Sequence, residues 1–156
     1  MSAPLEPLKD ALASLARSAA ISHGTLVLEI ESAALLAVVE RLRDEHGFDQ
    51  FLDVTAVDWL GSTPRFEVVY HFRSTATAAR VRIKTRVGEE DPTVDSLRPL
   101  YGSAYFMERE CHDMFGVVFR GNADLRPILL YEGFVGHPLR KDYPKDKEQP
   151  LVRYRT

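Results

Sequence analysis

The 156-residue sequence is short of cysteine, tryptophan and long apolar runs, and each shortage excludes something. A lone cysteine, Cys111, cannot close an internal disulfide. Nor can one thiol hold an iron–sulfur cluster, which needs about four ligands; a single thiol suits a reducing compartment. Every apolar stretch meets a charge after a few residues, whereas a membrane-spanning helix needs about 20 apolar residues. The opening Met1-Ser2-Ala3-Pro4-Leu5-Glu6 has no basic region followed by an apolar one, so no secretory leader is expected. Charge of one sign is also scarce. A net charge of -3 and a pI near 6.0 argue against binding dominated by phosphate attraction.

Apolar residues make up 45% and charged residues 28%, which is ordinary globular usage. A chain of this length forms one domain and buries about 70% of its unfolded surface. Leu5, Leu8, Leu12 and Leu15 recur at helical spacing, predicting a helix over 5–19 with Pro7 in its first turn. Gly24 breaks that pattern, and 25–30 reads as a strand. Ser32 is placed to cap a second helix with Leu35, Leu36, Val39 and Leu42 on its apolar face, stopped at His46-Gly47.

Strands are predicted over 51–58, 66–72 and 79–87. The last alternates Val81, Ile83, Thr85 and Val87 with Arg80, Arg82, Lys84 and Arg86, a half-buried antiparallel strand with a cationic outer face. An acidic loop, 88–92, leads to helical stretches from Thr93 and again from Ser103 to about Met114. After Gly116, glycine and proline become frequent up to Pro150. The fold class is α+β: an antiparallel or mixed sheet with helices on one face, then an extended irregular C-terminal tail. The boundaries are an α+β domain over 1–120 and a docking segment over 121–156.

Polar chemistry gathers in two places. Glu108-Arg109-Glu110-Cys111-His112-Asp113 holds three carboxylates, a thiol and an imidazole. Arg109 and Asp113, or Glu110 and Asp113, can meet on one helix face. Cys111 and His112 are adjacent, about 100° apart on a helix, which suits neither a zinc site nor a nucleophile pair. Glu110 and Asp113, or Cys111, leave a hydrolase open as a rival. The second cluster runs from Gly133 to Pro144 and includes Phe134, Gly136, His137, Pro138, Arg140, Lys141 and Asp142. No strand-to-helix glycine loop marks it as a nucleotide site. His23, His46 and His71 are scattered, and Trp59 and Tyr70 are assigned to packing. The cationic row at 80–86 leaves RNA as another rival, though a solvated face or an acidic protein partner fits it better.

Glu108-Arg109-Glu110-Cys111-His112-Asp113-Met114-Phe115-Gly116-Val117 resembles the signature of the C-subunit family of NADH–quinone oxidoreductase, respiratory complex I. Gly133-Phe134, Gly136-His137-Pro138-Leu139-Arg140-Lys141-Asp142 and Pro144 resemble its second block, in the same order and at a similar distance. Asn122-Ala123 departs from the His-Pro common in the family, and Pro127 follows Arg126 where a second basic residue is common. The tail also ends soon after Tyr154.

The resemblance implies a small hydrophilic, non-catalytic subunit of the peripheral arm. It would pack on the quinone-site D subunit near the cluster-bearing B and I subunits, on the cytoplasmic side of a bacterial membrane or the matrix side of a mitochondrial one. Membrane contact would come only through partners, with no nucleic acid. FMN and iron–sulfur clusters would lie on other subunits, with no cofactor or metal in this chain. Glu108, Arg109, Glu110, Asp113, Phe115 and Gly116 would then be structural or interface residues, the charged ones in ion pairs. Phe134, Gly136, His137, Pro138, Arg140, Lys141 and Asp142 would anchor the tail. A related membrane-bound hydrogenase, formate hydrogenlyase or plastid-type complex is the alternative setting.

Overall fold

The computed structural model describes residues 5–147; Met1 to Pro4 and the last stretch with Pro150 and Tyr154 lie outside the described residues. The first helix, α1 (Leu5–Leu12), ends in a short 3-10 turn at Ala13–Leu15. The predicted helix over 5–19 is therefore too long. Ser18–Ser22 is a strand, β1, paired antiparallel with β2 (Thr25–Ile30). The hairpin turn puts His23 at φ 49° and Gly24 at φ 72°, the left-handed pair that a two-residue turn requires.

A 3-10 turn at Ser32–Ala34 leads into α2 (Leu35–His46), so Ser32 starts the element without capping the α-helix by its side chain. Gly47 at φ 69° ends it as expected. Then follow β3 (Gln50–Asp58), β4 (Phe66–Arg73) and β5 (Arg80–Val87). The sheet order is β1-β2-β5-β4-β3. It is mixed: β5 runs antiparallel to β4 and parallel to β2.

Inward side chains of the sheet, among them Leu26, Leu28, Phe66, Tyr70, Phe72 and Ile83, have no exposed surface and share one core with Leu12, Leu35 and Leu42 of the helices. Tyr70 packs as expected, whereas Trp59 keeps 42% of its surface exposed and lies under the charges of Arg86 and Lys141.

The stretch from Thr93 is not helical. Thr93–Asp95 is a short strand, β6, paired in parallel with β7 (Val118–Arg120). Between them lies α3 (Ala104–Phe115), closed by Gly116 at φ 76°. From 121 to 147 the described chain has turns but no helix or strand. No helix among the described residues is long and apolar enough to cross a membrane.

Candidate functional site

Helix α3 buries Ala104, Glu108, Cys111 and Phe115 on one stripe, the spacing of an inward face. A carboxylate thus occupies a place where an apolar side chain is usual. Glu108 has no exposed surface. It accepts hydrogen bonds from the Leu97 N–H at 2.7 Å, the Ser96 hydroxyl at 2.7 Å and the Asn122 amide at 2.9 Å. Burial pushes its carboxyl above the ordinary range while these donors pull it back. Ser96 follows β6 and Asn122 follows β7, and the strands are parallel, so one side chain ties both strands to the helix at the same end of the small sheet.

Asp113 takes its bonds from the other direction. Its Oδ2 accepts from the backbone N–H groups of Ile128 at 2.7 Å, Leu129 at 3.0 Å and Leu130 at 3.4 Å. Arg109 adds a clamp one turn earlier, donating to the carbonyls of Arg126 at 2.9 Å and Pro127 at 2.8 Å. Its guanidinium lies 5.3 Å from the Tyr105 ring centroid, and the Tyr105 hydroxyl bonds the Asp124 carboxylate. The ion pairs that helical spacing allows give way to these bonds, while Glu110 stays exposed.

The second cluster completes the helix. The last carbonyls of an α-helix have no partner within it. Here the Asp113 carbonyl meets Nδ1 of His137 at 2.9 Å, so that nitrogen carries the proton. The Met114 carbonyl accepts from the Leu139 N–H at 3.1 Å, and the Phe115 carbonyl from Arg140 Nε at 2.6 Å. A segment about 25 residues downstream therefore supplies the helix cap, and Arg140 places a cation where the helix dipole favours one. A Cβ on Gly116 would collide with the His137 ring and the Arg140 guanidinium, which explains a glycine there beyond its φ. Gly136, at φ 99°, likewise brings the backbone against Tyr143, whose ring stacks on Phe134 at 6.1 Å. Pro138 is half-buried.

Arg65 fastens the far end. It is 3% exposed and bonds Asp58 through two 2.8 Å contacts, Glu89 at 2.6 Å and Asp142 at 2.9 Å. Asp58 also accepts the Lys141 N–H at 2.8 Å. The guanidinium holds Asp58 and Asp142 below the usual carboxylate range, against the opposing effect of burial. Arg65 and Arg140 lie 5.0 and 4.9 Å from the Phe66 ring centroid. Sequence reasoning missed Arg65, Asp58, Ser96, Asn122 and Tyr105 as members of this site. One signal was present: opposite charges at Asp58 and Arg65 bracket the turn at 61–64.

Cys111 is 2% exposed and burial pushes its thiol pKa up, the reverse of an activated nucleophile. Asp113 is 4% exposed and its carboxylate already holds backbone. No group of three or more His, Cys, Asp or Glu side chains suited to a metal ion occurs among the described residues. The site is arranged to hold chain segments. It leaves Leu129, Val135 and Leu139 of the segment 61, 65 and 53% exposed, with Phe106 of α3 at 57%.

The family described as "Respiratory-chain NADH dehydrogenase, 30 Kd subunit" matches residues 28–149. The NADH-quinone oxidoreductase C subunit of Citrifermentans bemidjiense is 41% identical over 137 residues, covering 88% of this chain and 85% of that protein. Its counterpart in Agrobacterium fabrum is 45% identical over 139 residues, covering 88% of this chain and 69% of that protein. Among solved structures, the trypsin-resistant fragment of Nqo5 superposes with a TM-score of 0.70 at 28% identity, over 78% of this chain and 98% of that one. A chain of the archaeal membrane-bound sulfane sulfur reductase shares the fold, with a TM-score of 0.78 at 24% identity over 90% of this chain and 85% of that one. Both polar clusters fall inside the matched span, and the chain belongs to the 30 Kd subunit family of the respiratory-chain NADH dehydrogenase, the C-subunit family of NADH-quinone oxidoreductase.

Proposed function

We propose that this chain is a non-catalytic peripheral-arm subunit of a proton-translocating NADH–quinone oxidoreductase. It supports assembly, and electron transfer from NADH to quinone, by packing on the quinone-site subunit near the cluster-bearing ones. FMN and iron–sulfur clusters sit on those other subunits, and the chain meets the membrane only through them, on the cytoplasmic side in a bacterium or the matrix side in a mitochondrion. The observation that carries the reading is the segment at 121–147. Arg109 and Asp113 bond its backbone, and Glu108 and Arg65 bond its Asn122 and Asp142 side chains, fixing it to the domain, yet Leu129, Val135 and Leu139 stay over half exposed. A rigid backbone presenting separated apolar side chains is the pattern of a docking surface.

The test is a tagged chain recovered from gently solubilised native membranes, with co-purifying proteins identified and NADH–quinone activity assayed. A quinone-site subunit, cluster-bearing subunits and NADH oxidation support the reading. Hydrogenase-type partners without NADH oxidation move the chain to a sister assembly. Recovery of the chain alone overturns both. Arg140→Ala with Lys141→Ala is expected to lower the yield of complex, and an unchanged yield removes the anchoring role.

A further inference from the structure

The outer face of the sheet divides into two halves of different charge balance. Strand register arranges its side chains in rows. One row runs Glu29, Lys84, Val69, Thr55, and the next Arg86, Glu67, Val57. In this half the cations are matched: Lys84 lies 2.8 Å and Arg86 3.3 Å from the carboxylate of Glu67. The other half has the rows Val27, Arg82, His71, Asp53 and Arg80, Arg73, Gln50.

Arg73 and Arg80 stand directly across from one another, and Arg82 faces His71. Like charges in such positions repel. None of the ion pairs among the described residues involves Arg73, Arg80 or Arg82. Arg82 Nε is buried without a hydrogen-bond partner. The nearby acids offset the group only in part. Asp49 feels the field of Arg73, but both its oxygens are taken by the N–H and hydroxyl of Thr75 and it forms no ion pair among the described residues. Asp53 stands two strands from Arg82, about 10 Å at ordinary strand spacing, with His71 between them. Burial, and the fields of Arg82 and Arg80, hold the His71 pKa below its ordinary value against the pull of Asp53.

We propose that Arg73, Arg80 and Arg82 form a docking site for an acidic, extended segment of a neighbouring protein chain. Guanidinium forks take carboxylates in pairs of parallel bonds. Arg80 and Arg82 are two residues apart on a strand, about 7 Å, which is also the i, i+2 spacing of carboxylates along an extended segment. A nucleic acid fits less well, since the rows around the arginines offer only the His71 ring for stacking bases. The inference deepens the assembly reading, since it supplies a second contact with a neighbour on the face opposite the helices.

The test keeps the full chain in its native membranes. A photoreactive residue replaces exposed Gln50 (Gln50→benzoylphenylalanine), with Glu29→benzoylphenylalanine in the balanced half as control. The expected result is a cross-link from position 50 to a peptide of another chain with at least two Asp or Glu in about five residues. Its yield should fall about tenfold in the triple variant R73Q/R80Q/R82Q and persist in K84Q/R86Q.

The isolated triple variant should melt at the same temperature as the parent or higher, because the changes remove repulsion. A cross-link to a peptide poor in carboxylates, to a second copy of this chain, to RNA or to lipid overturns the site. So does the absence of a cross-link above the control, a yield the triple variant leaves unchanged, or a clear fall in its melting temperature. An acidic cross-link to a chain outside any NADH-oxidising complex keeps the site and removes the assembly reading. Recovery of the complex without an acidic cross-link does the reverse.

Discussion

Phe66, Tyr70 and Phe72 in the sheet have no exposed surface, whereas Leu129, Val135 and Leu139 in the segment after β7 keep more than half of theirs. The sheet is held by removing apolar area from water, at roughly 25 cal/mol per Å². The segment is held by carboxylates and guanidiniums that satisfy backbone groups, each bond contributing about 1–3 kcal/mol when a charge is involved. A region held by burial unfolds as one unit. A region held by a few polar bonds can be released piece by piece while the domain stays folded.

The largest expected effect lies in the sheet. Phe72→Ala opens a cavity where the ring packs between Phe51 and Tyr101, at a cost of about 3–5 kcal/mol. Urea unfolding should show the whole loss in one cooperative transition; a separate early transition would break the contrast between the regions. Next comes Arg65→Met, expected to cost about 3 kcal/mol because it leaves Asp58 buried without its cation. Unlike Phe72→Ala, it should also raise amide exchange at 140–142, since Asp142 loses the same partner.

The third effect is a dependence on pH, and it has opposite signs in two carboxylates. Asp58 lies below its ordinary value of 3.8 in the folded chain, so its contribution is present above that value and is lost as pH falls through the depressed one. Glu108 lies above its ordinary value of 4.5, so its contribution is present below 4.5 and is lost as pH rises through the raised value. Glu108→Gln should flatten the second dependence in urea midpoints, whereas Glu108→Ala should flatten it and also cost about 2–3 kcal/mol below pH 4.5 by stranding three donors. An unchanged profile in Glu108→Gln would count against the buried carboxylate as its source.

The two regions also differ in how far the amino-acid sequence announces them. The alternation at 80–87 and the leucine spacing of α2 declare themselves locally, because each residue's face follows from its own position. Strand β6 does not, since three residues at 93–95 are a strand only because Val118–Arg120 comes back to pair with them. Nor does β1, whose Ser18-Ala19-Ala20 carries no apolar alternation and takes its register from β2. At the site, Glu108, Asp113, His137 and Arg140 stood out as a charged pattern, but most of their partners are backbone groups. Any residue supplies an N–H or a carbonyl, so no side-chain pattern could reveal which of them Asp113 or Arg140 would hold. The Arg65 cluster joins residues 58, 65, 89 and 142, a meeting that depends on the topology alone.

Asp113→Asn is expected to have the smallest effect on the domain and the most localised one on the segment. The amide keeps one oxygen to accept from Ile128, Leu129 and Leu130 but loses the charge that strengthens those bonds, at about 1–2 kcal/mol. Cys111 and Phe115 of the same helix are packed in the core independently of Asp113, so the domain's melting temperature should move by only a few degrees. Amide exchange at 128–130 should rise about tenfold with the rest of the chain unchanged, because the three N–H groups depend on one carboxylate oxygen. If exchange instead rose across α3 and the sheet together, the segment would be an integral part of the domain's cooperative unit, and the distinction between burial and polar latching would fail at the residue where the two regions meet.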